Sequence, residues 1–293
     1  WSLAKSSSRS CTSVAISPNS LKKRRAVLVI GHRNAKRGQV NTVNGLLSTL
    51  PDIQQRLLKS EEVQQYQERV HSAPTPGIHD YNESNVVCAY NSAKLEGCRL
   101  SLHDSKRYAA LLSANPNVGY RTLASRLNLP EGDCAMLHGI LDAMEYEMMY
   151  SRWSPVSESM IREMHYLVLQ DAESQYRGAY RPLGYEVAIG GSGVKTSPSN
   201  LVPAHMRELL SRKFKTGVDI VDAVSFHALF ETIHPFVDGN GRTGRLMLNH
   251  MLPLPCIITP ESGYFAALGD FSWNPEHLLR LVVRSALRVQ RSF

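Results

Sequence analysis

The stretch from His234 to Arg245, HPFVDGNGRTGR, combines a base, an acid, a glycine turn and two arginines. The glycines of the DGNG turn permit positive φ angles and a close approach of a ligand to the backbone. Backbone N–H groups at the start of the following helix offer an anion site. Arg242 and Arg245, one helical turn apart, can face the same anion. His234 is a candidate general base at neutral pH.

Together these parts predict in-line attack on a nucleotide phosphate. A turn carboxylate such as Asp238 is a hard oxygen ligand for Mg²⁺ between phosphates. Phosphoryl chemistry depends mostly on positioning and charge neutralisation, which is what this set of groups supplies. Each part alone has an ordinary structural interpretation, as a helix-end histidine, a turn or solvent-facing arginines. Their occurrence in one short stretch favours catalysis.

The stretch resembles the signature of the Fic family, HPFx[D/E]GNGRxxR, and matches it at every defined position. The similarity extends from about Asn82 to the C terminus. The resemblance implies that His234 deprotonates a Ser, Thr or Tyr hydroxyl of a target protein, and that Asp238 holds Mg²⁺ between the α- and β-phosphates of ATP. The other motif residues would bind the nucleotide: Gly239, Asn240 and Gly241 as an anion hole, Arg242 and Arg245 at the β- and γ-phosphates.

The resemblance also bears on the reaction type. Relatives with Lys for the second glycine have been linked to phosphorylation, and relatives with Ala for the first to phosphocholine transfer. Because this chain has Gly239 and Gly241, it is similar to the AMP-transferring majority. Phe236 would anchor the loop in the core. Tyr264 lies where the family has an adenine-contacting tyrosine, and Asn274 is a candidate for an asparagine expected further along.

A glycine-rich segment upstream is similar to the family's β-hairpin flap, which positions the target by strand-like backbone pairing. Tyr185–Ile189 alternates in character and precedes GGSG, so we expect a short hairpin or flap between helices. The ordinary interpretation of GGSG is a flexible loop. The residues that would position the target are Ile189, Gly190, Gly191 and Ser192.

The segment SAKLEG matches the family's inhibitory pattern [S/T]xxxE[G/N], with Ser92 and Glu96 at the defined positions. The resemblance implies that Glu96 pairs with Arg245 and blocks the productive position of the γ-phosphate. A glutamate in the last turn of a helix is disfavoured by the helix dipole, and a cationic partner would offset that cost. The ordinary interpretation is a surface glutamate.

The spacing of apolar residues predicts a mainly α-helical protein, a Fic-type helical bundle with a small β-hairpin flap. We expect residues 1–45 to be a basic, disordered arm, 46–80 a helical extension and linker, and 81–293 the Fic domain, with an inhibitory helix at about 85–97. The predicted helices in the last of these are Asn85–Glu96, Leu102–Leu112, Glu131–Tyr150, Glu158–Asp171, Pro203–Phe214, Asp219–Ile233, Thr243–Met251 and Glu276–Gln290.

The charge distribution argues against nucleic-acid binding by the folded body. The chain of 293 residues has a net charge of +7, but residues 1–51 hold nine Lys and Arg and no acid, so the remainder is slightly acidic. The arm could be a solvated tail or a nucleic-acid, membrane or targeting segment. Five cysteines without a CxxC pair or nearby histidines predict neither a disulfide scaffold nor a zinc site, and a reducing compartment fits best. No apolar run is long enough to cross a membrane.

These features predict a protein adenylyltransferase that moves AMP from Mg-ATP to a hydroxyl of a protein substrate. One alternative is a hydrolase that removes AMP at the same site, with Glu96 aligning a water. The other is a non-catalytic binding module that uses the basic arm. We expect ATP and a protein substrate as partners and no nucleic acid, and the oligomeric state, a homodimer included, is left open.

Overall fold

The computed structural model describes residues 42–72, 78–148, 154–172, 174–217 and 219–289, which form one compact unit. Within these residues all regular secondary structure is helical and no strand occurs, which confirms the prediction of a mainly α-helical fold but not its β-hairpin. The α-helices are α1 (Val43–Leu58), α2 (Glu61–Ser72), α3 (Ile78–Leu95), α4 (Leu102–Ala114), α5 (Tyr120–Leu127), α6 (Glu131–Met148), α7 (Glu158–Val168), α8 (Val202–Ser211), α9 (Ile220–Ile233), α10 (Asn240–Met251), α11 (Tyr264–Asp270) and α12 (Pro275–Val289). Short 3₁₀ turns lie at Ser174–Tyr176, Ser199–Leu201 and Pro260–Ser262.

The centre of the bundle is α9, in which every residue except Asp222 is buried. A helix that is apolar on all sides belongs in the middle of a core, and α1, α8, α10 and α12 all pack against it. A second pair, α6 and α7, packs against α3 and α10. The HPFVDGNG loop is therefore held at both ends, by the central helix before it and by a buried helix after it.

Side-chain caps fix the ends of the helices that carry the site. Ser157 caps α7 by accepting a hydrogen bond from the Met160 N–H at 3.1 Å. Asp219 caps α9 by accepting from the Val221 N–H at 2.9 Å. Asparagine, aspartate and serine are favoured at this position because their oxygens satisfy N–H groups that have no partner within the helix. The caps set where each helix begins and hence how its site residues are oriented.

The predicted helix boundaries shift by a few residues in the structure. In the predicted extension and linker at residues 46–80, Ser72 ends α2 and Ile78 begins α3, and residues 73–77 between them lie outside the described part of the chain. Helix α10 begins at Asn240, earlier than predicted, because Gly239 takes a left-handed conformation and acts as its N-cap. Helix α11 was not predicted, since seven residues are too few to show a helical period.

The predicted β-hairpin at Tyr185–Ile189 is wrong in its secondary structure. This segment forms an extended loop with a turn at residues 190–192 and no ladder of backbone hydrogen bonds. Its two arms are joined by side chains instead: Thr196 Oγ1 donates to the Val187 carbonyl at 2.6 Å, and Arg181 donates to the carbonyls of Tyr185 and Ser197. Side chains occupy carbonyls that a strand ladder would have used.

The helical extension shares the core of the rest of the bundle. Leu46, Leu50 and Leu57 of α1 are buried in the same apolar cluster as α9, and Gln54 Nε2 donates to Asp222 Oδ1 at 2.8 Å.

The predicted disordered arm at residues 1–45 lies almost wholly outside the described residues. The four cysteines that the structure describes are buried free thiols. Among the described helices, none is both long and apolar enough to cross a membrane.

We predict that Gly139→Ala destabilises the protein by about 1–3 kcal/mol, although alanine is the better helix former by ~1 kcal/mol. Gly139 of α6 touches α7 so closely that an added Cβ would lie 2.6 Å from the carbonyl oxygens of Leu167 and Val168. Urea unfolding measures the change. The control is Gly119→Ala, whose Cβ would meet nothing within 4 Å. Equal stability of the two variants would contradict this close packing.

Candidate active site

The loop between α9 and α10 is immobilised by buried contacts around Phe236. This ring is fully buried and stacks on the His165 ring at 3.6 Å with an interplanar angle of 6°. The Asn240 side chain bonds the Phe236 backbone twice, accepting from its N–H at 2.8 Å and donating to its carbonyl at 2.9 Å. The loop therefore has one conformation, and the side chain of Asn240 holds that conformation.

His165 of α7 is a loop-positioning residue that sequence reasoning missed. Its Nε2 donates to the Asp238 carbonyl at 2.9 Å, and its Nδ1 accepts from the Gly178 N–H at 2.9 Å. Because a carbonyl only accepts and an amide only donates, these partners fix the neutral tautomer. Burial lowers the pKa of His165 to about 4, so the ring is uncharged at neutral pH. Nothing in its sequence neighbourhood distinguishes it from an ordinary core residue.

His234 caps the end of α9 with a left-handed backbone conformation, φ 52°. Its Nδ1 donates to the Glu231 carbonyl at 3.1 Å, so in the neutral ring the proton is on Nδ1 and the lone pair is on Nε2. Burial lowers the pKa of His234 to about 4. The side chain is 15% exposed, and its imidazole is in the basic form at neutral pH.

The two motif arginines are buried with incomplete sets of partners. Arg242 Nη1 donates to the Val168 carbonyl at 3.3 Å, and its Nη2 lies 3.4 Å from Asp238 Oδ2. Within the described part of the chain, Arg242 Nε and Arg245 Nη1 are buried donors that lack a hydrogen-bond acceptor. Such unpartnered donors are rare in folded proteins. At the start of a helix they suit an anion with several oxygens.

Asp238 is the acid of the loop, and its side chain is 64% exposed. Its Oδ1 accepts from the Gly239 N–H at 2.6 Å. The described residues contain no group of three or more His, Cys, Asp and Glu side chains that could hold a metal ion. Mg²⁺ is commonly held by one or two carboxylates together with phosphate oxygens and waters. The residues present therefore fit Mg²⁺ only when a bound phosphate supplies further ligands.

Glu96, just after α3, forms the ion pair expected from the sequence. Arg245 Nη2 lies 2.8 Å from Glu96 Oε1. The same guanidinium donates to Ser92 Oγ and to the Ser92 carbonyl, both at 3.0 Å. A Cβ added at Gly241 would overlap Glu96 Oε1, so this carboxylate lies directly against the start of α10. Glu96 thus occupies a position where an anionic ligand of the loop would bind.

Tyr264 departs from the sequence expectation. It is 1% exposed, its hydroxyl lies 2.8 Å from His227 Nε2, and its ring centroid is 5.7 Å from Arg245 Cζ. In this structure the buried ring offers no open face on which a base could stack, and the adenine contact of Tyr264 stays a prediction. Tyr264 instead supports the Arg245 guanidinium. Asn274 ends the turn before α12.

The flap segment is anchored beside His234 by the buried side chain of Arg181, a connection that the sequence did not reveal. Its Nε donates to the His234 carbonyl at 2.9 Å, and its other nitrogens hold the two arms of the segment. Ile189 is buried, while Gly190 and Gly191 are exposed. A Cβ at Gly269 would overlap the Ser192 carbonyl, so the tip of the flap lies against α11.

Comparison with known proteins agrees with this arrangement. Residues 155–252, which contain α7 to α10, match the family model of the Fic/DOC family. A relative from Aquifex aeolicus, named "probable protein adenylyltransferase aq_aa38", is 40% identical over 92 residues, covering 29% of this chain and 28% of its own length. The protein adenylyltransferase Fic of Drosophila virilis is 26% identical over 219 residues, covering 71% of this chain and 41% of its own length. This chain therefore spans less than half the length of either relative.

Solved structures show the same fold. Fic-1 from C. elegans superposes with a TM-score of 0.56 at 21% identity, covering 85% of this chain and 71% of that chain. A Fic-domain signaling protein from Bacteroides thetaiotaomicron superposes with a TM-score of 0.56 at 21% identity, covering 79% of this chain and 92% of that chain. The fold and the site together define a class of helical protein, in which the loop between two buried helices, α9 and α10, leads into a candidate anion site at the start of α10. Residues 155–252 of this chain are a Fic/DOC-type domain.

We predict that His227 contributes stability that is lost in acid. Its Nδ1 donates to the Gly244 carbonyl at 2.9 Å and its Nε2 accepts from the Tyr264 hydroxyl, so the ring is neutral. Burial lowers the pKa of His227 from 6.5 to about 3. Below pH 6.5 the unfolded chain gains a proton that the folded chain does not bind, so folding weakens until the folded-state pKa is reached.

Urea unfolding from pH 7 towards acid compares the wild type with His227→Gln, which keeps a donor and an acceptor but does not titrate. The stability advantage of the wild type should shrink by up to ~1.4 kcal/mol per pH unit. Parallel stability curves for the two proteins would contradict a neutral buried ring.

Proposed function

We propose that this chain is a protein adenylyltransferase, which transfers AMP from ATP to a hydroxyl group of a protein substrate. The observation that carries the proposal is the pairing of a neutral His234 with two buried arginines whose donors lack acceptors, at the start of α10. A base and an incomplete anion site in one rigid loop are what phosphoryl transfer requires. Relatives named protein adenylyltransferases support the same chemistry.

In the proposed reaction, His234 Nε2 takes the proton of a target hydroxyl, and the oxygen attacks the α-phosphorus of ATP. The bond to the bridging oxygen of the β-phosphate breaks, AMP remains on the target, and pyrophosphate leaves. Arg242, Arg245 and the N–H groups at the start of α10 neutralise the developing charge on the phosphates. Asp238 would hold Mg²⁺, which supplies further positive charge to the phosphates when bound.

The contact between Glu96 and Arg245 supports an autoinhibited form of this enzyme. The Glu96 carboxylate lies against Gly241 and pairs with Arg245 at 2.8 Å, so it competes with a γ-phosphate for the same guanidinium. Relief of inhibition would require Glu96 to withdraw while α10 and its loop stay in place. Ser92 accepts hydrogen bonds from Nε and Nη2 of Arg245, which keep this side chain oriented when Glu96 leaves.

One alternative activity at this site is the removal of AMP from a modified protein. The observation in its favour is that Glu96 is held next to the anion position by a buried arginine, where a carboxylate could orient an attacking water. The reverse hydrolysis would use His234 and Asp238 as well. The flap, with Ile189 buried and its glycines exposed, is the candidate surface for the target in either direction.

We predict that Glu96→Gly increases protein labelling from ATP carrying label on the α-phosphate. Removing a competing carboxylate should release a coupling free energy of about 1–3 kcal/mol, equivalent to about 5- to 150-fold. Label on the γ-phosphate should not be transferred. Adding His234→Ala should lower labelling by about 100-fold or more, because a general base contributes on that order. His103→Ala, at an exposed histidine of α4, is the matched control.

Labelling by the γ-phosphate alone would replace AMP transfer with a kinase-like reaction. Release of AMP from a modified substrate by the wild type, lost in both Glu96→Gly and His234→Ala, would instead establish the hydrolase.

Because His234 is partly exposed at a loop, the free energy of unfolding of His234→Ala should lie within about 1 kcal/mol of that of the wild type. A large loss of stability in His234→Ala would count against the assignment of His234 as a catalytic base, because the lost activity would then follow from unfolding.

We also predict that Asp238→Asn weakens the response to Mg²⁺. The variant keeps an oxygen acceptor for the Gly239 N–H but lacks the charge that a hard cation prefers. In the Glu96→Gly background, the Mg²⁺ concentration for half-maximal labelling should rise by about tenfold. Metal chelation should abolish labelling in both proteins. Unchanged Mg²⁺ dependence would show that Asp238 does not hold the ion.

A further inference from the structure

The carboxyl group of Glu231 is an anomaly in the central helix. It is 2% exposed, in a helix whose other buried residues are mostly apolar. Its Oε1 has no hydrogen-bond partner within the described residues. Burying a carboxyl oxygen without a partner costs free energy, whereas a leucine at this position would fill a similar space and bury no polar atom. Stability therefore does not explain the choice of glutamate here.

The carboxyl group of Glu231 faces His234, the proposed catalytic base. Its Oε2 lies 3.7 Å from His234 Nδ1, the ring nitrogen opposite the one that faces the substrate proton. Nδ1 already donates to the backbone carbonyl of the same Glu231 at 3.1 Å. One residue thus faces the rear of the imidazole with both its carbonyl and its carboxyl oxygens. On a helix, i and i+3 positions share a face, which makes this arrangement a direct result of the sequence spacing.

We propose that Glu231 is a positioning residue for His234, whose carboxylate form stabilises the imidazolium created when Nε2 accepts the substrate proton. This inference rests on the proposed general-base role of His234. The proton moves from the target hydroxyl to Nε2, while Nδ1 keeps its own proton and directs it at the Glu231 oxygens. An anion behind a ring that becomes positively charged lowers the barrier to that proton transfer.

The charges around Glu231 connect this role to the proposed inhibition. Burial raises the pKa of Glu231 to about 8, while Arg245 of α10 lowers it and Glu96 raises it. Tyr264 of α11 also faces this carboxyl, and its own pKa is raised well above 10 by burial. With Glu96 in place, Glu231 is mostly protonated at neutral pH. In the nucleotide-free protein, withdrawal of Glu96 removes a negative charge near Glu231 and leaves the positive charge of Arg245, so Glu231 ionises more readily.

The first test is an NMR pH titration of isotope-labelled histidine side chains. The His234 signal is the one absent from His234→Ala. In the wild type we expect it to respond to the ionisation of Glu231 near pH 8. This response should disappear in Glu231→Gln and move to lower pH in Glu96→Gln. The His138 signal serves as an internal reference, and Glu145→Gln, at an exposed glutamate of α6, is the matched control.

The second test is activity in the Glu96→Gly background. Adding Glu231→Gln should lower the maximal rate of α-phosphate labelling by about tenfold or more, with the KM for ATP nearly unchanged. A His234 signal in the wild type with no inflection on the alkaline side would overturn the proposal, and so would an equal maximal rate. If Glu231→Gln does not fold, the wild-type and Glu96→Gln titrations decide alone. Absence of labelling in the parent Glu96→Gly would count against the proposed transferase, while the titrations would still decide the role of Glu231.

Discussion

The buried guanidinium of Arg245 is the constraint around which the site is organised. An arginine keeps its positive charge under all physiological conditions, and at 4% exposure water cannot solvate it. It must therefore be met by oxygens from the protein or from a ligand. In this structure Ser92 and Glu96 supply them from the end of α3, and Tyr264 supports the guanidinium from α11. The need to solvate one charge thus holds α3 and α11 against the start of α10.

The same charge explains why the proposed inhibition requires no additional machinery. Arg245 Nη2 can donate to a carboxylate or to a phosphate, and the two ligands exclude each other at this position. Because the loop is fixed by Phe236, Asn240 and His165, binding does not depend on rearranging the catalytic groups. Only the Glu96 carboxylate would have to give way to a phosphate, and it is the more exposed member of the ion pair with Arg245. In the proposed mechanism the rigid part of the site would carry the chemistry, and Glu96 at its edge would carry the regulation.

Much of the site could be predicted from the sequence because its parts are close together in the chain. His234, Asp238, Arg242 and Arg245 lie within a single helix–loop–helix unit, in which spacing alone decides which groups can meet. The pairing of Glu96 with Arg245 joins distant segments, and it was expected because of a short pattern typical of a known family. His165 and Arg181 carried no such pattern. Each holds the loop or flap through backbone carbonyls, and such contacts leave no signature in residue spacing.

The sequence by itself determined that the chain is mainly helical, that its candidate phosphate-binding groups lie close together in the chain, and which residue types can take part. Periodicity, turn glycines and charge are local properties, and local interactions establish them. Only the tertiary structure decided that Tyr264 is buried, that the flap arms are joined by side chains, and that Glu231 lies behind His234 without a partner for Oε1. The physical reason is burial: the pKa, the accessible partners and the solvation of a side chain depend on what packs around it, and distant segments supply that packing.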